Sequence, residues 1–294
     1  MTAGSAVPHR PIVVGVEGSE TDETTVAWAT NEAVRRQTSL QLVHAQALPS
    51  WFGRNHRLTD EAKEYADARV AELLEQARAY VNAREPAMVT ESHHEFGAVA
   101  SVLSNAAREA SLVVVGASPT PEQKHTPLRS VAGHVAAHAP CPVVVAHDPG
   151  DGPGSGDIIV GVDGSRASEA AVAFACEETV YRGIGVAAVL AWEPTVSGWP
   201  VLPDAPEAQR DLAADALAGA VARWQDRYPT VPLEQRLVQG PPVRALLDLA
   251  PHASLLVVGS HGHGWFPGLL LGSVSNALIR HAPVTVAVVR GSGH

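Results

Sequence analysis

The feature that most constrains this 294-residue chain is an internal duplication. The segment IVVGVEGS at residues 12–19 recurs as IIVGVDGS at residues 158–165, an offset of 146 residues. The segments LRSVAGHVAAHAP from Leu128 and LGSVSNALIRHAP from Leu271 match at an offset of 143. Solenoid repeats have periods of only about 20–50 residues, so this much longer period indicates two copies of a whole domain.

The two copies are separated by DPGDGPGSG, a stretch whose Gly and Pro content is typical of a linker. We therefore predict a first domain over residues 1–147, a linker over 148–156 and a second domain over 157–294. Each domain is long enough to form its own core. The two cysteines, Cys141 and Cys176, lie in apolar segments and are expected to be reduced core residues rather than a redox pair.

Short aliphatic runs alternate with amphipathic segments in both copies, which predicts a doubly wound α/β fold with a parallel sheet. The first copy has predicted strands at residues 12–16, 40–45, 88–93, 112–115 and 143–146, and helices at 26–36, 59–84, 98–110 and 128–138. The second copy has predicted strands at residues 158–162, 186–190, 233–238, 255–258 and 284–289, and helices at 167–181, 207–228, 243–252 and 273–281.

Composition and charge argue against several classes of protein. No apolar stretch reaches the roughly 18 residues that a membrane span needs, and residues 1–11 lack the apolar core of a secretion signal. We therefore expect a soluble, cytoplasmic protein that does not bind membranes. The net charge of −10 offers no general attraction to nucleic acid.

The stretch GSHGHGWFPGLLLGSVS, at residues 259–275, is the strongest candidate for a binding site. It follows the apolar run at residues 255–258 and precedes a helical pattern, which predicts a strand, a glycine-rich loop and a helix. Glycines allow a ligand to approach the backbone, and Ser273 and Ser275 place hydroxyls beside the free N–H groups of a helix start. This chemistry suits a phosphate. The only lysines are Lys63 and Lys124, so the loop is not a Walker-type site.

The spacing of Gly259, Gly262, Gly272 and Ser273 resembles the G-2x-G-9x-G-(S/T) nucleotide-binding motif of the universal stress protein family. The resemblance extends over both copies. It implies two tandem Rossmann-like domains, each a five-stranded parallel sheet of order 3-2-1-4-5, and it implies ATP, with Mg²⁺, as the ligand. The alternative is a glycine-rich turn that binds nothing.

The resemblance also implies which residues contact the nucleotide. In the order 3-2-1-4-5, strands 1 and 4 are neighbours at the switch point where such sheets bind ligands, so Asp163 and Gly259 are expected to converge. Asp163 would accept hydrogen bonds from adenine or ribose or help to hold a metal; the alternative is an aspartate that caps the following helix. The implied contact residues are Asp163, Gly164, Ala191, Gly259, Gly262, Gly272, Ser273, Val274 and Ser275.

The first copy departs from the motif. It has Gly116 and Ser130 at the outer motif positions, but Pro119 and Arg129 replace two of the glycines, and Glu17 replaces the strand-1 aspartate. Proline has no N–H to offer and arginine carries a Cβ, so we predict that the first copy binds nucleotide poorly or not at all. The alternative is that Arg129 engages phosphate directly.

The histidines suggest no catalytic or metal site. HGHG, with His261 and His263, is similar to a nucleotidylyl transferase motif, but that motif belongs after strand 1, so these histidines are expected to line the loop. His134 and His138 have a metal-capable spacing without a third ligand. No combination of nucleophile, base and orienting group is recognisable, so we predict neither catalytic residues nor a protein metal site.

The resemblance implies nucleotide-dependent signalling in stress adaptation or growth regulation, through a protein partner that the sequence does not identify. One alternative is a slow ATPase or another phosphate-transferring enzyme of the same fold; another is a ligand-free dimeric scaffold. The last strands, residues 143–146 and 284–289, are expected to pair the two halves and so cover both sheet edges. A homodimer is a further assembly that we consider.

Overall fold

The structure is a computed structural model that describes residues 10–19, 21–47, 60–117, 131–148, 156–194, 205–262 and 271–291. The chain divides into two compact units, Met1–Ala146 and His147–His294, called unit 1 and unit 2 below. Most of the predicted linker lies outside the described residues, so its bounds remain a prediction.

Unit 1 is a parallel sheet with helices between successive strands. The order of its strands is β3-β2-β1-β4-β5, and each neighbouring pair within this run is parallel. The strands are β1 (Ile12–Gly15), β2 (Leu40–Gln46), β3 (Thr90–Phe96), β4 (Leu112–Gly116) and β5 (Val143–Ala146). The helices are α1 (Thr21–Arg36), α2 (Asp60–Arg84), α3 (Val99–Ala106) and α4 (Val131–His138).

Unit 2 repeats the arrangement, with the strand order β8-β7-β6-β9-β10 and parallel pairs throughout. Its strands are β6 (Ile158–Gly161), β7 (Val186–Trp192), β8 (Leu233–Gln239), β9 (Leu255–Gly259) and β10 (Val286–Val289). Its helices are α5 (Arg166–Arg182), α6 (Ala205–Arg227), α7 (Pro242–Leu249), which runs into a 3₁₀ turn (Ala250–His252), and α8 (Ser273–His281). Both units therefore have the predicted order 3-2-1-4-5, and the predicted fold class is confirmed.

Each core is centred on the first and fourth strands of the unit. Ile12 and Leu112 in unit 1, and Ile158 and Leu255 in unit 2, are completely buried, as expected for strands covered by helices on both faces. The peripheral strands β3 and β8 consist mostly of half-buried and exposed residues. No helix in the described part of the chain has both the length and the apolar character needed to cross a bilayer.

Helix α1 begins earlier than predicted, and one of its apolar residues is not buried. It begins at Thr21, five residues before Val26, because its first turn is polar and gives no hydrophobic periodicity. Val34 is apolar like the buried Val26 and Ala33 of the same helix, but it is 43% exposed. Val34 lies eight residues after Val26, roughly 80° around the helix, and so falls beyond the buried stripe.

A buried ion pair occurs at equivalent positions of the two units. The carboxylates of Glu32 in α1 and Glu178 in α5 are fully buried, and each accepts a hydrogen bond from the arginine one turn later, Arg36 at 2.6 Å and Arg182 at 2.8 Å. A buried carboxylate is costly unless it is paired, and removal of one partner of such a pair typically costs about 3–5 kcal/mol. Both members of the ion pair are therefore present in each of the two copies.

We predict that His147 makes unit 2 sensitive to acid. Its Nε2 is buried without a hydrogen-bond partner among the described residues. Burial lowers the pKa of His147 from about 6.5 to about 4, and a backbone hydrogen bond with Ile279 opposes this only in part. The folded state therefore excludes a proton that the unfolded state binds, so its contribution to stability is present above pH 6.5 and is lost as the pH falls towards 4.

The loss amounts to at most about 3.5 kcal/mol, taking about 1.4 kcal/mol for each pKa unit. Urea unfolding of the wild type at several pH values between 4 and 7.5 should show it, and His147→Leu should flatten that dependence. His281, an exposed histidine of the same unit, provides the matched control through His281→Leu. An unchanged pH dependence in His147→Leu would contradict the prediction.

Candidate functional site

In unit 2 the loops that follow β6 and β9 lie side by side. The two strands are paired in parallel, with Ile158 opposite Leu255, so their carboxyl ends meet at the same edge of the sheet. Asp163 follows β6 and Gly262 follows β9. A Cβ built on Gly262 would overlap the carboxylate oxygen Oδ2 of Asp163. The structure therefore brings these two predicted site residues close together, and a side chain at position 262 would require the Asp163 carboxylate to move.

The start of α8 is fixed to the same edge by backbone hydrogen bonds. The amide of Gly272 donates to the carbonyl oxygen of Ser260 at 2.8 Å, and the amide of Ser260 donates to the carbonyl oxygen of Val289 at 2.7 Å. The hydroxyl of Ser275 donates to the carbonyl oxygen of Gly259 at 2.6 Å. The three segments of the predicted motif thus form one connected structure at the ends of β9 and β10.

The amino terminus of α8 has no side-chain cap, because its cap residue is Gly272. Gly272 has φ −65° and ψ 153°, and its carbonyl accepts the first helical hydrogen bond, from the amide of Asn276 at 3.0 Å. The preceding amides, of Ser273, Val274 and Ser275, are the first-turn groups that a helix cannot satisfy internally. Such groups, with the positive end of the helix dipole, favour an anion.

In the loop after β6, Asp163 has a structural role. Its Oδ1 accepts a hydrogen bond from the amide of Ser165 at 2.9 Å, which closes the turn around Gly164, a residue in the left-handed region at φ +79°. The cap of α5 is Ser165, whose hydroxyl accepts from the amide of Ser168 at 3.2 Å. The alternative of a helix-capping aspartate is therefore wrong in detail, because the serine two residues later makes the cap.

His261 lies between these segments, a position that the sequence indicated only as lining the loop. Its carbonyl oxygen accepts from the hydroxyl of Ser165 at 3.3 Å, and its Nδ1 is 2.9 Å from the hydroxyl of the buried Ser260. His261 therefore connects the loop after β9 to the start of α5. Its predicted companion, His263, lies outside the described residues.

Gly259 is required by packing, whether or not a ligand binds. A Cβ at this position would lie 2.7 Å from the carbonyl carbon of Ala167 and 2.8 Å from the amide of Ser168, both in the backbone of α5. Gly116 in unit 1 is similarly crowded, with the Thr21 hydroxyl 2.8 Å from a built Cβ. The first glycine of the motif therefore allows the first helix of each unit to approach the fourth strand, and by itself it does not indicate a ligand.

Ala191 lies in β7, opposite Val238 of β8. Since β7 pairs directly with β6, Ala191 belongs to the same edge of the sheet as the loop that carries Asp163. Ala191 is half-buried and its side chain is a methyl group, so only its backbone has polar groups to offer a ligand.

In unit 1 the predicted degenerate site is described only in part. Pro119, Arg129 and Ser130 lie outside the described residues, so the effect of these replacements remains a prediction. Glu17, in the place of the aspartate, uses its Oε1 to accept a hydrogen bond from the hydroxyl of Ser19 at 2.8 Å. Its carboxylate is therefore engaged within its own loop.

The described residues contain no group of three or more His, Cys, Asp or Glu side chains that could hold a metal ion. His134 and His138, whose spacing suits a metal, stack with ring centroids 4.2 Å apart, and Nδ1 of His138 lies 2.8 Å from the carbonyl oxygen of His134. A cation at the unit 2 site would have to take most of its ligands from a bound phosphate and from water.

Comparison with known proteins places this geometry in a family. The model of the universal stress protein family matches residues 8–147 and residues 155–290. A universal stress protein of Mycobacterium tuberculosis is 34% identical over 295 residues, covering 96% of each chain. A universal stress protein of Mycobacterium bovis is 35% identical over 293 residues, covering 96% of this chain and 97% of the relative.

Solved structures agree in fold. The crystal structure of a universal stress protein from Archaeoglobus fulgidus superposes with a TM-score of 0.70, covering 95% of this chain and 96% of that one. Its sequence is only 18% identical, so the likeness bears on the fold alone. Both halves of the chain are matched, as the duplication in the sequence predicts.

We predict opposite effects for two glycine substitutions in unit 2. Gly259→Ala forces a methyl group against the backbone of α5 and should lower the free energy of unfolding by about 1–3 kcal/mol. Gly219→Ala lies in α6, where a built Cβ meets no atom within 4 Å, and should raise it by about 0.5–1 kcal/mol. Urea unfolding monitored by circular dichroism measures both. Equal stability of the two variants would refute the packing role of Gly259.

Proposed function

The chain belongs to the universal stress protein family, and on that basis we propose that unit 2 binds an adenine nucleotide, ATP with Mg²⁺, at the edge where β6 and β9 end. The observation that carries the proposal is the convergence of Asp163, Gly262 and the uncapped amino terminus of α8 at that edge. The connections that follow strands 1 and 4 of such a sheet run to opposite faces there, which leaves a crevice for a ligand.

The phosphates are assigned to the α8 end of the crevice. The first-turn amides of Ser273, Val274 and Ser275 supply donors, and the exposed Ser273 adds a hydroxyl. Unit 2 contains no lysine, so main-chain groups and the helix dipole would take the place of a cationic side chain. Bound Mg²⁺ would neutralise phosphate charge, and its preference for oxygen ligands suits phosphate oxygens and a carboxylate.

The nucleoside is assigned to the β6 end. Asp163 closes the turn of this loop, and carboxylate oxygens accept hydrogen bonds from ribose hydroxyls or an adenine amino group. The backbone near Ala191 offers further donors and acceptors on the β7 side. A nucleotide would then extend from the end of β7 across β6 to the start of α8.

The function that follows is binding rather than catalysis. We propose that the protein acts in stress adaptation or growth regulation in the cytoplasm, through a signalling partner that recognises the nucleotide-bound form. Bound nucleotide can act in this way only if it has a higher affinity for one conformation or assembly than for another. Slow hydrolysis of ATP is the competing function, and the retention assay below measures ADP alongside ATP.

We predict that Gly272→Glu abolishes nucleotide retention. Gly272 has a backbone conformation that any residue adopts, but a built Cβ would lie 3.2 Å from the backbone oxygen of Ser260, a tight contact, so circular dichroism must first show that the variant is folded. The new carboxylate would stand at the phosphate end and weaken ATP binding by tenfold or more, about 1.4 kcal/mol. Nucleotide in the denatured, gel-filtered protein would be quantified by chromatography, with Kd from calorimetry.

Gly272→Gln, of the same length but uncharged, separates charge from bulk and should bind ATP more tightly than Gly272→Glu. Gly219→Ala, far along α6, should retain wild-type affinity. A wild-type protein that carries no nucleotide after purification and shows no thermal shift with Mg-ATP would overturn the proposed function.

A further inference from the structure

Unit 1 contains a cleft between α1 and α2 that has room for a small ligand. Its volume is about 570 Å³, within the range of small-molecule pockets. The apolar part of its lining includes the buried side chains of Val26 and Ala77 and the half-buried Leu73, and Tyr80 adds an aromatic ring. This part of the cleft suits a short aliphatic chain.

The charged part of the lining favours a cation. Among the described residues, the cleft is lined by the carboxylates of Asp22, Glu23 and Glu72 and by one cation, Arg69. Arg69 is 70% exposed and lies 3.9 Å from Glu72, at the limit of an ion pair. Asp22 accepts two backbone hydrogen bonds from its own loop. A cationic ligand would therefore meet Glu23 and Glu72 first.

The second copy of the domain shows what a glutamate at the position of Glu23 binds. The offset of 146 residues places Glu169 of α5 where α1 has Glu23. The guanidinium of Arg223, in α6, donates a hydrogen bond to the carboxylate of Glu169 at 2.8 Å. In unit 2 this glutamate therefore pairs with a guanidinium group that the second helix of the unit supplies.

Unit 1 has the glutamate without the arginine. The second helices of the two units end at Arg84 and Arg227, an offset of 143 residues, and this offset places Tyr80 where unit 2 has Arg223. Glu23 and Tyr80 both line the cleft. The carboxylate is thus kept in unit 1, while the side chain that pairs with it in unit 2 is replaced by a ring.

The ring of Tyr80 suits the same kind of group. The guanidinium of Arg84 lies over it, 3.5 Å from the ring centroid, so one face of this ring already packs against a guanidinium. In unit 2 the guanidinium of Arg223 lies over Trp224, 4.9 Å from its centroid. A guanidinium is planar, stacks on aromatic rings and matches the geometry of a carboxylate, whereas an ammonium does so less well.

We propose that the cleft between α1 and α2 of unit 1 binds an alkylguanidinium ion. Its guanidinium pairs with Glu23 as Arg223 pairs with Glu169 in unit 2, and its alkyl chain lies against Val26, Leu73 and Ala77. Such a group belongs either to a free small molecule or to an arginine side chain of another protein. The site lies in the other unit from the proposed nucleotide site and does not depend on it.

The first test uses the unmodified full-length protein, labelled with ¹⁵N, and n-butylguanidinium as the probe. The probe should shift the amide resonances of Glu23 and Tyr80 saturably, with a Kd on the order of 1 mM for a ligand of this size. The control is n-butylurea, which has the same shape without the charge and should bind at least about tenfold more weakly. Absence of a saturable shift, or equal binding of the two compounds, would overturn the proposal.

A blocked Gly-Arg-Gly peptide distinguishes the two sources of the group. Tighter binding of the peptide than of n-butylguanidinium, with the same amides shifted, would assign the cleft to an arginine side chain of a partner protein. Tighter binding of n-butylguanidinium would assign it to a free small molecule.

The second test removes the carboxylate. Glu23 is exposed, so Glu23→Gln should fold normally, and it should weaken binding of n-butylguanidinium about fivefold, a modest factor because the pair is exposed. Glu169→Gln makes the same change at the equivalent position of unit 2 and should leave the affinity of the unit 1 cleft unchanged. Equal affinity of Glu23→Gln and the wild type would contradict the proposal.

The third test fills the cleft from within. Tyr80→Arg gives unit 1 the arginine of unit 2, which should pair with Glu23 and weaken binding of n-butylguanidinium at least about tenfold. Tyr80→Phe keeps the ring and should bind as the wild type does, and circular dichroism would first show that both variants are folded. Undiminished binding in folded Tyr80→Arg would overturn the proposal. ATP retention should be the same in all these variants, so failure here would leave the proposed function of unit 2 intact.

Discussion

The structure depends on the direct pairing of the first and fourth strands in each unit. These strands carry fully buried aliphatic residues, with Ile12 opposite Leu112 in unit 1 and Ile158 opposite Leu255 in unit 2. The pairing places two loops that are about a hundred residues apart in sequence at the same edge of the sheet. It also requires the first helix to cross closely over the end of the fourth strand, which explains why a glycine ends that strand in both units.

Much of this could be predicted from the sequence, because buried parallel strands appear as uninterrupted aliphatic runs and the duplication allows each half to check the other. The strand at Val143–Ala146 and the helix at Ser273–His281 were predicted to the residue. Two features of helix α1, its first residue and the exposure of one apolar side chain, were not predicted. The polar first turn of α1, beginning at Thr21, has no hydrophobic period, and Val34 lies just outside the buried stripe.

For the candidate site, the sequence predicted which segments meet but not what each residue does there. Asp163 and Gly262 do lie close together, as the strand order requires. However, Gly259 allows the backbone of α5 to pack closely, Ser165 caps α5, and His261 connects the loop after β9 to the start of α5. These roles depend on distances of a few ångströms between segments far apart in the chain, and a spacing motif carries no such information. Whether the motif binds a ligand is likewise a question of chemistry at the site, not of spacing.

The loop after the first strand is held differently in the two units, and in unit 1 the amides of Glu17 and Gly18 donate to the carboxylate of Asp22. In unit 1 the carboxylate of Asp22 accepts these hydrogen bonds at 3.1 Å and 2.7 Å, so this loop is held by a group of its own unit. On the proposed function, unit 2 instead gains stability in proportion to RT ln(1 + [L]/Kd), so its resistance to unfolding and proteolysis would follow the adenylate pool. On that proposal, a fall in cellular energy would loosen unit 2 without any change in its sequence or its covalent structure.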